Sequence, residues 1–124
     1  MSDVVVTLPL SFGIERWCDE GDPAGEKWSG RLWDFSVGGG KPNIARGERV
    51  YVIYGFRLIG YSPLVALEQG EFYGWVFVRG GDAVAVTIPE RIVGFRGWRY
   101  RWWDRVLEGP CLDWQRPFPK RGAR

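Results

Sequence analysis

The sequence predicts a mainly β protein, a small barrel of about six or seven short strands. The 124 residues include 18 Gly and 8 Pro, which interrupt the chain often, as short strands and tight turns require. The apolar runs between these interruptions are short and rich in β-branched and aromatic residues, which favour strands. No helical pattern recurs between the runs, so a sheet of alternating strands and helices is not expected.

The N-terminal third is predicted to contain one strand, one helix and a long loop. The β-branched run 4–8 ends at Pro9 and predicts a buried strand. Ser11 is a suitable N-cap for one short helix near residues 12–20. Residues 21–47 are polar and Gly-rich and are expected to form a loop, whose length is typical of a functional loop.

The other strands are expected in series, separated by Gly, Pro or polar residues. They are residues 49–54, 57–61, 64–67, 72–78, 83–88 and 98–103. The first two are separated by Gly55 and are expected to pair as a hairpin. We expect a single domain over residues 1–116, followed by a basic, proline-broken tail, residues 117–124, that is disordered.

Charge is unevenly distributed along the chain. Residues 1–90 contain 8 Lys and Arg against 12 Asp and Glu, whereas residues 91–124 contain 9 against 3. Arg outnumbers Lys 14 to 3, and the guanidinium group suits phosphate and stacks on bases. High Arg usage in the source would explain the ratio equally well, but it explains the segregation of charge less well.

The residue types present exclude several kinds of chemistry. The chain has no His, which excludes Ser–His and Cys–His catalysis and His-based metal sites. Cys18 and Cys111 have no metal-binding spacing and are expected to be reduced thiols, so neither a metal nor a cofactor is expected. With no signal-peptide pattern and no long apolar run, we expect a cytoplasmic protein with no membrane partner.

The order of elements can also be compared with known families. A first strand closing at a Pro, one helix and a long loop precede the strand start at 46–53, Arg-Gly-Glu-Arg-Val-Tyr-Val-Ile, and its partner at 55–65. This order, over residues 3–103, resembles the PUA-like superfamily, which includes the PUA, ASCH and EVE domains. The resemblance implies a pseudo-barrel with a cleft beside the first helix, and binding of RNA or modified bases.

ASCH domains often carry the motif Gly-x-Lys-x-x-Glu-x-Arg, linked in some members to amidohydrolase or nuclease activity. The segment 25–32 has Gly30 where the Glu belongs, with Arg31 one residue early, and the segment 39–46 has Ile44 there. The resemblance therefore implies a cationic cleft without its catalytic acid. The basic residues that these segments retain are Lys27, Arg31, Lys41 and Arg46.

The segment 96–105 alternates Arg with aromatic residues. In an extended chain, Trp98, Tyr100 and Trp102 would share one face, opposite Arg99 and Arg101. The aromatic face could stack on unpaired bases while Arg contacts phosphate. The alternative, which we expect for Trp102, places the aromatic face in the barrel core and leaves the Arg row exposed.

These features predict a nucleic-acid-binding domain, not an enzyme, with RNA or single-stranded nucleic acid as its partner. Its predicted contacts are Arg96, Arg99, Arg101, Arg105, Lys27, Arg31, Lys41 and Arg46, with Trp28 and Trp33 as a possible base pocket. Two alternatives stay open. One is an ASCH-like amidohydrolase or nuclease acting on nucleosides or RNA, for example through Lys27 or Lys41 with Thr7, and the other is a protein-interaction module.

Overall fold

The computed structural model describes residues 2–10, 32–70, 74–80 and 84–111. Within these residues the chain is mainly β, as the sequence predicts, with one 3-10 helix at Arg105–Leu107. The strands are β1 (Val4–Thr7), β2 (Leu32–Val37), β3 (Arg49–Ile53), β4 (Leu58–Gln69), β5 (Trp75–Gly80), β6 (Val84–Thr87), β7 (Trp98–Tyr100) and β8 (Gly109–Pro110).

Two predicted features differ from the structure. The strands expected at 57–61 and 64–67 form one long strand, β4, because its first part pairs with β3 and its last part with β5. β2 lies where the sequence predicted a loop, and it pairs over its whole length with β5, from Leu32 opposite Gly80 to Val37 opposite Trp75. A partner so distant along the chain leaves no local signal, which is why the loop prediction was wrong here.

The strands form one open, mixed sheet in the order β2-β5-β4-β3-β1-β7, with β6 paired to β4 and β8 paired to β6. β1 and β3 run parallel, and every other described pair is antiparallel. The hairpin predicted across Gly55 is confirmed as the β3–β4 pair. β1 and β3 therefore lie inside the sheet, each with a strand on either side.

The central strands are buried on both faces. Val4 and Val6 of β1 pack with Val50 and Val52 of β3 on one face, where Phe77 is also buried. The opposite face buries a second cluster of apolar residues: Val5, Tyr51, Ile53, Leu58, Ile88, Ile92 and Trp103. A strand covered on both sides has no polar face, which explains the unbroken β-branched run that predicted β1.

Residues 88–97, which we call the β6–β7 segment, cover part of the second cluster. Ile92 is buried in that cluster, and its N–H donates to the Phe56 carbonyl at 2.9 Å. The Phe95 N–H donates to Thr7 Oγ1 at 3.1 Å. Gly94 lies against the same side chain, since a Cβ added there would be 2.8 Å from Thr7 Cγ2. Thr7 therefore sets the distance between this segment and the sheet.

Several predictions fall outside the described residues. They are the helix near residues 12–20, the N-terminal part of the loop predicted at 21–47, and the tail at 117–124. Among the described residues, no helix has the length and hydropathy needed to cross a membrane.

The close approach of Gly94 to Thr7 is testable. Gly94→Ala is expected to lower the free energy of unfolding by about 1–3 kcal/mol in denaturant titrations, because the new methyl group overlaps Thr7 Cγ2. Adding Thr7→Ser should restore most of this loss, since serine keeps the hydroxyl but lacks Cγ2. Gly40→Ala is the control, because nothing lies within 4 Å of a Cβ there. Equal effects at both glycines would contradict this packing.

Candidate functional site

The four arginines predicted to contact nucleic acid from the C-terminal segment fall into two groups. Arg101 and Arg105 both bind the carboxylate of Asp3, so they hold the fold together. Arg96 and Arg99 are exposed, and neither joins an ion pair within the described residues. The prediction treated all four alike, whereas only Arg96 and Arg99 have no carboxylate partner among the described residues.

Asp3 is the centre of the first group. Its side chain is 2% exposed, and its Oδ2 accepts from Arg101 Nε at 3.0 Å and from Arg105 Nη2 at 2.7 Å. Its Oδ1 accepts the backbone N–H of Arg49 at 2.9 Å. Arg101 also donates to the carbonyl of Trp103. One carboxylate therefore connects the start of β1, the start of β3 and the chain that follows β7.

A second buried carboxylate, Glu108, lies at the same end of β3. Its Oε2 accepts from Tyr51 OH at 2.5 Å and from Trp103 Nε1 at 2.9 Å, and its Oε1 accepts from Arg49 Nη1 at 3.0 Å. The Arg49 guanidinium also stacks over the Tyr61 ring, 4.1 Å from its centroid. Both Glu108 oxygens, Tyr51 OH and Trp103 Nε1 have partners, so the arrangement favours rigidity over chemistry.

The pKa values agree with that interpretation. Burial alone would raise the pKa of Asp3, but hydrogen bonds from the Arg49 N–H, Arg105 and Arg101 outweigh it and hold the pKa below its usual value. Burial, together with the hydrogen bond to Glu108, raises the pKa of Tyr51 to about 12. A tyrosine that retains its proton so firmly is a poor general base near neutral pH.

Arg99 belongs to a different surface. Its guanidinium lies over the Phe95 ring, 4.4 Å from the centroid, and the Phe95 ring meets Trp102 edge-on at 6.3 Å. Trp102 is 42% exposed, and its Nε1 donates to Glu90 at 3.2 Å. We define the arginine–aromatic surface as Phe56, Arg91, Phe95, Arg96, Arg99 and Trp102.

The predicted alternation of side chains between two faces is correct only within β7, which ends at Tyr100. Trp98 and Tyr100 share a face, with their rings 4.8 Å apart, and they support residues 40–43: Trp98 Nε1 donates to the Gly40 carbonyl and Tyr100 OH accepts from the Asn43 N–H. The strand ends at Tyr100, so Trp102 leaves that face and joins Arg99 on the other. The expectation that Trp102 lies in the core is wrong, since the buried ring is that of Trp103, 5% exposed.

Phe56 and Arg91 extend the surface to the tip of the β3–β4 hairpin. The Arg91 guanidinium lies over the Phe56 ring, 4.6 Å from its centroid. Phe56, Arg91 and Phe95 were missed by the sequence reasoning. They are single residues without a repeated pattern, and the structure pairs Arg91 with Phe56 and Arg99 with Phe95.

The other predicted contacts lie elsewhere. Lys41 Nζ lies 5.3 Å from the centroid of the Trp75 ring, and Arg46 is exposed in the turn before β3, at the end of that strand opposite the hairpin tip. Lys27, Arg31 and Trp28 lie outside the described residues, and Trp33 is a β2 residue opposite Arg79 of β5. The base pocket predicted from Trp28 and Trp33 therefore stays a prediction.

Of the residues named for a hydrolytic site, Lys41 and Thr7 lie in the described part of the chain and Lys27 does not. Lys41 and Thr7 have different neighbours, because Thr7 Oγ1 accepts the Phe95 N–H while Lys41 lies at Trp75. No group of three or more Cys, Asp and Glu side chains in the described ranges is arranged to hold a metal ion. No family model, curated protein or solved structure matches the chain.

The role of Asp3 can be tested by Asp3→Asn. We expect the free energy of unfolding to fall by about 1–3 kcal/mol near neutral pH, because two charge-assisted hydrogen bonds are lost. Asp104→Asn is the matched control, since Asp104 is exposed and only caps the 3-10 helix, which asparagine does equally well. Denaturant titrations of both variants measure the difference.

The lowered pKa of Asp3 also predicts how the stability of Asp3→Asn depends on pH. The folded-state pKa of Asp3 is lowered, so its contribution is complete above the ordinary value of 3.8 and is lost as the pH falls through the lowered value. Asp3→Asn should therefore unfold with a smaller loss of stability on acidification than the unmodified chain. If both lose stability equally below pH 3.8, the ion pairs of Asp3 are not stabilising.

The two adjacent tryptophans should respond differently to truncation. Trp103→Ala is expected to cost about 3–5 kcal/mol, because it removes a buried ring and leaves the Glu108 carboxylate short of a donor. Trp102→Ala should cost about 1 kcal/mol, since nearly half of its surface is already in water. The reverse order in denaturant titrations would contradict the assignment of Trp103 to the core.

Proposed function

We propose that this chain is a cytoplasmic nucleic-acid-binding domain, a PUA-like pseudo-barrel that binds RNA or single-stranded nucleic acid through the arginine–aromatic surface. The observation that carries the proposal is the position of Arg99, stacked on Phe95 beside the exposed ring of Trp102 and without a carboxylate partner among the described residues. Cationic groups beside exposed aromatic rings suit a strand whose phosphates and bases are both accessible.

Electrostatics support this location. Arg91, Arg96 and Arg99 are all exposed, and none forms an ion pair within the described ranges. The nearby acid Glu90 accepts a hydrogen bond from Trp102. Phosphate contacts supply most of the affinity of such proteins, so a group of unneutralised arginines on one surface is the feature to expect.

The aromatic residues support a single strand more than a duplex. A duplex hides its bases in the stack, whereas a single strand offers a π-face at every base. Phe56 and Trp102 are 48% and 42% exposed, so their rings are accessible without unfolding the core. A protein-interaction surface would use the same exposed rings and arginines, so the dependence of binding on salt must separate the two functions.

Salt dependence tests the proposal directly. Binding to a fluorescent single-stranded RNA or DNA of about 12 nucleotides, within the usual site size, is measured by anisotropy over a range of salt concentrations. We expect affinity to fall linearly on a log–log plot, by about 0.7 per phosphate contact for a single strand. Binding that is insensitive to salt would favour the protein-interaction module, and turnover of the RNA would favour the hydrolase.

The location of the interface is tested by Arg96→Ala with Arg99→Ala. This double variant should bind more weakly to all sequences and lose about 0.7 of salt slope per lost contact, with little loss of stability because both side chains are exposed. Lys41→Ala with Arg46→Ala removes the same charge away from the surface and is the control. An equal effect of the two double variants would place the interface elsewhere.

A further inference from the structure

The tip of the β3–β4 hairpin has an unusual backbone. Gly55 and Phe56 both have positive φ, +62° and +66°, and Phe56 is the one non-glycine residue with positive φ in the described part of the chain. The Tyr54 N–H donates to the Arg57 carbonyl across these two residues. Tight hairpin turns with two positive φ angles strongly favour Asn-Gly, Asp-Gly or Gly-Gly, because large side chains clash there.

Burial does not account for the aromatic residue at this position. The Phe56 side chain is 48% exposed, although its backbone conformation is strained for any residue with a Cβ. Glycine would form the same turn without this strain, and asparagine with less of it. Strained residues of this kind concentrate at binding sites, where the surrounding structure holds a side chain in place for a ligand.

The tip is held firmly in place. The Phe56 carbonyl accepts the N–H of Ile92, whose side chain is buried in the second core cluster. The Arg91 guanidinium covers part of the Phe56 ring, 4.6 Å from its centroid. The β6–β7 segment that makes both contacts also contains Phe95 and Arg96, two further residues of the arginine–aromatic surface.

We infer that Phe56 stacks on one unpaired base of the bound strand, with Arg91 contacting the adjacent phosphate. The inference rests on the proposed function. It also explains why this site would select single strands, because a base paired within a duplex cannot reach the ring. The charge around the tip supports this ligand. Arg91 is cationic, exposed and directly over the Phe56 ring, and a phosphate backbone is the partner that it complements.

The experiment compares Phe56→Gly with Phe56→Tyr on a single-stranded DNA of about 12 nucleotides. Phe56→Gly should weaken binding about 5- to 100-fold, the effect of losing one base stack, with the salt slope unchanged because no phosphate contact is removed. It should fold normally, since glycine suits the positive φ. Phe56→Tyr keeps the ring and should bind like the unmodified protein. Val93→Ala removes an exposed apolar side chain from the same segment and should also leave binding unchanged.

A strand of abasic sites with the same phosphates separates stacking from structural effects. On this strand the unmodified protein and Phe56→Gly should bind equally, because there is no base to stack. Two results would overturn the inference. One is an equal loss of affinity of Phe56→Gly on the intact and the abasic strand, and the other is unchanged binding of Phe56→Gly to the intact strand. Both results leave the proposed function standing. If the unmodified protein binds neither strand, the proposed function fails and the inference fails with it.

Discussion

The buried carboxylate of Asp3 is the constraint on which much of this fold depends. β1 lies between β3 and β7, and Asp3 binds the backbone at the start of β3 and two arginines from the chain after β7. Without that carboxylate, these arginines would lose their partner at the end of the central strands. Glu108 reinforces the same end through Tyr51, Trp103 and Arg49. These contacts stabilise one register of the central strands, because breaking any of them leaves polar groups unsatisfied.

This constraint decides how the arginines divide. Arg101 and Arg105 lie within reach of Asp3 at one end of the sheet, and the two guanidinium groups share its single carboxylate. Arg99 lies two residues earlier on β7, where its side chain is directed to Phe95 and water. The arginines of the C-terminal segment therefore divide into those that bind Asp3 and those without a carboxylate partner among the described residues. The functional proposal concerns the second alone.

The second constraint is the contact between Thr7 and the β6–β7 segment. Thr7 Oγ1 accepts the Phe95 N–H, and Gly94 allows the backbone to approach the threonine methyl group. With Ile92 buried and bonded to Phe56, this contact positions the hairpin tip and the stacked rings together.

The sequence by itself determined the β class, the position of most strands and the hairpin across Gly55, because β-branched runs and glycine turns are local signals. It also located the segment from which Arg96 and Arg99 project. Only the tertiary structure decided that residues 32–37 pair with β5, that Trp103 and not Trp102 is buried, and that Asp3 binds Arg101 and Arg105. Each of these depends on residues far apart in the chain, and the end of β7 at Tyr100 changes which side chains share a face. Strand alternation predicts a face only while the strand continues, and where it stops is set by its partner.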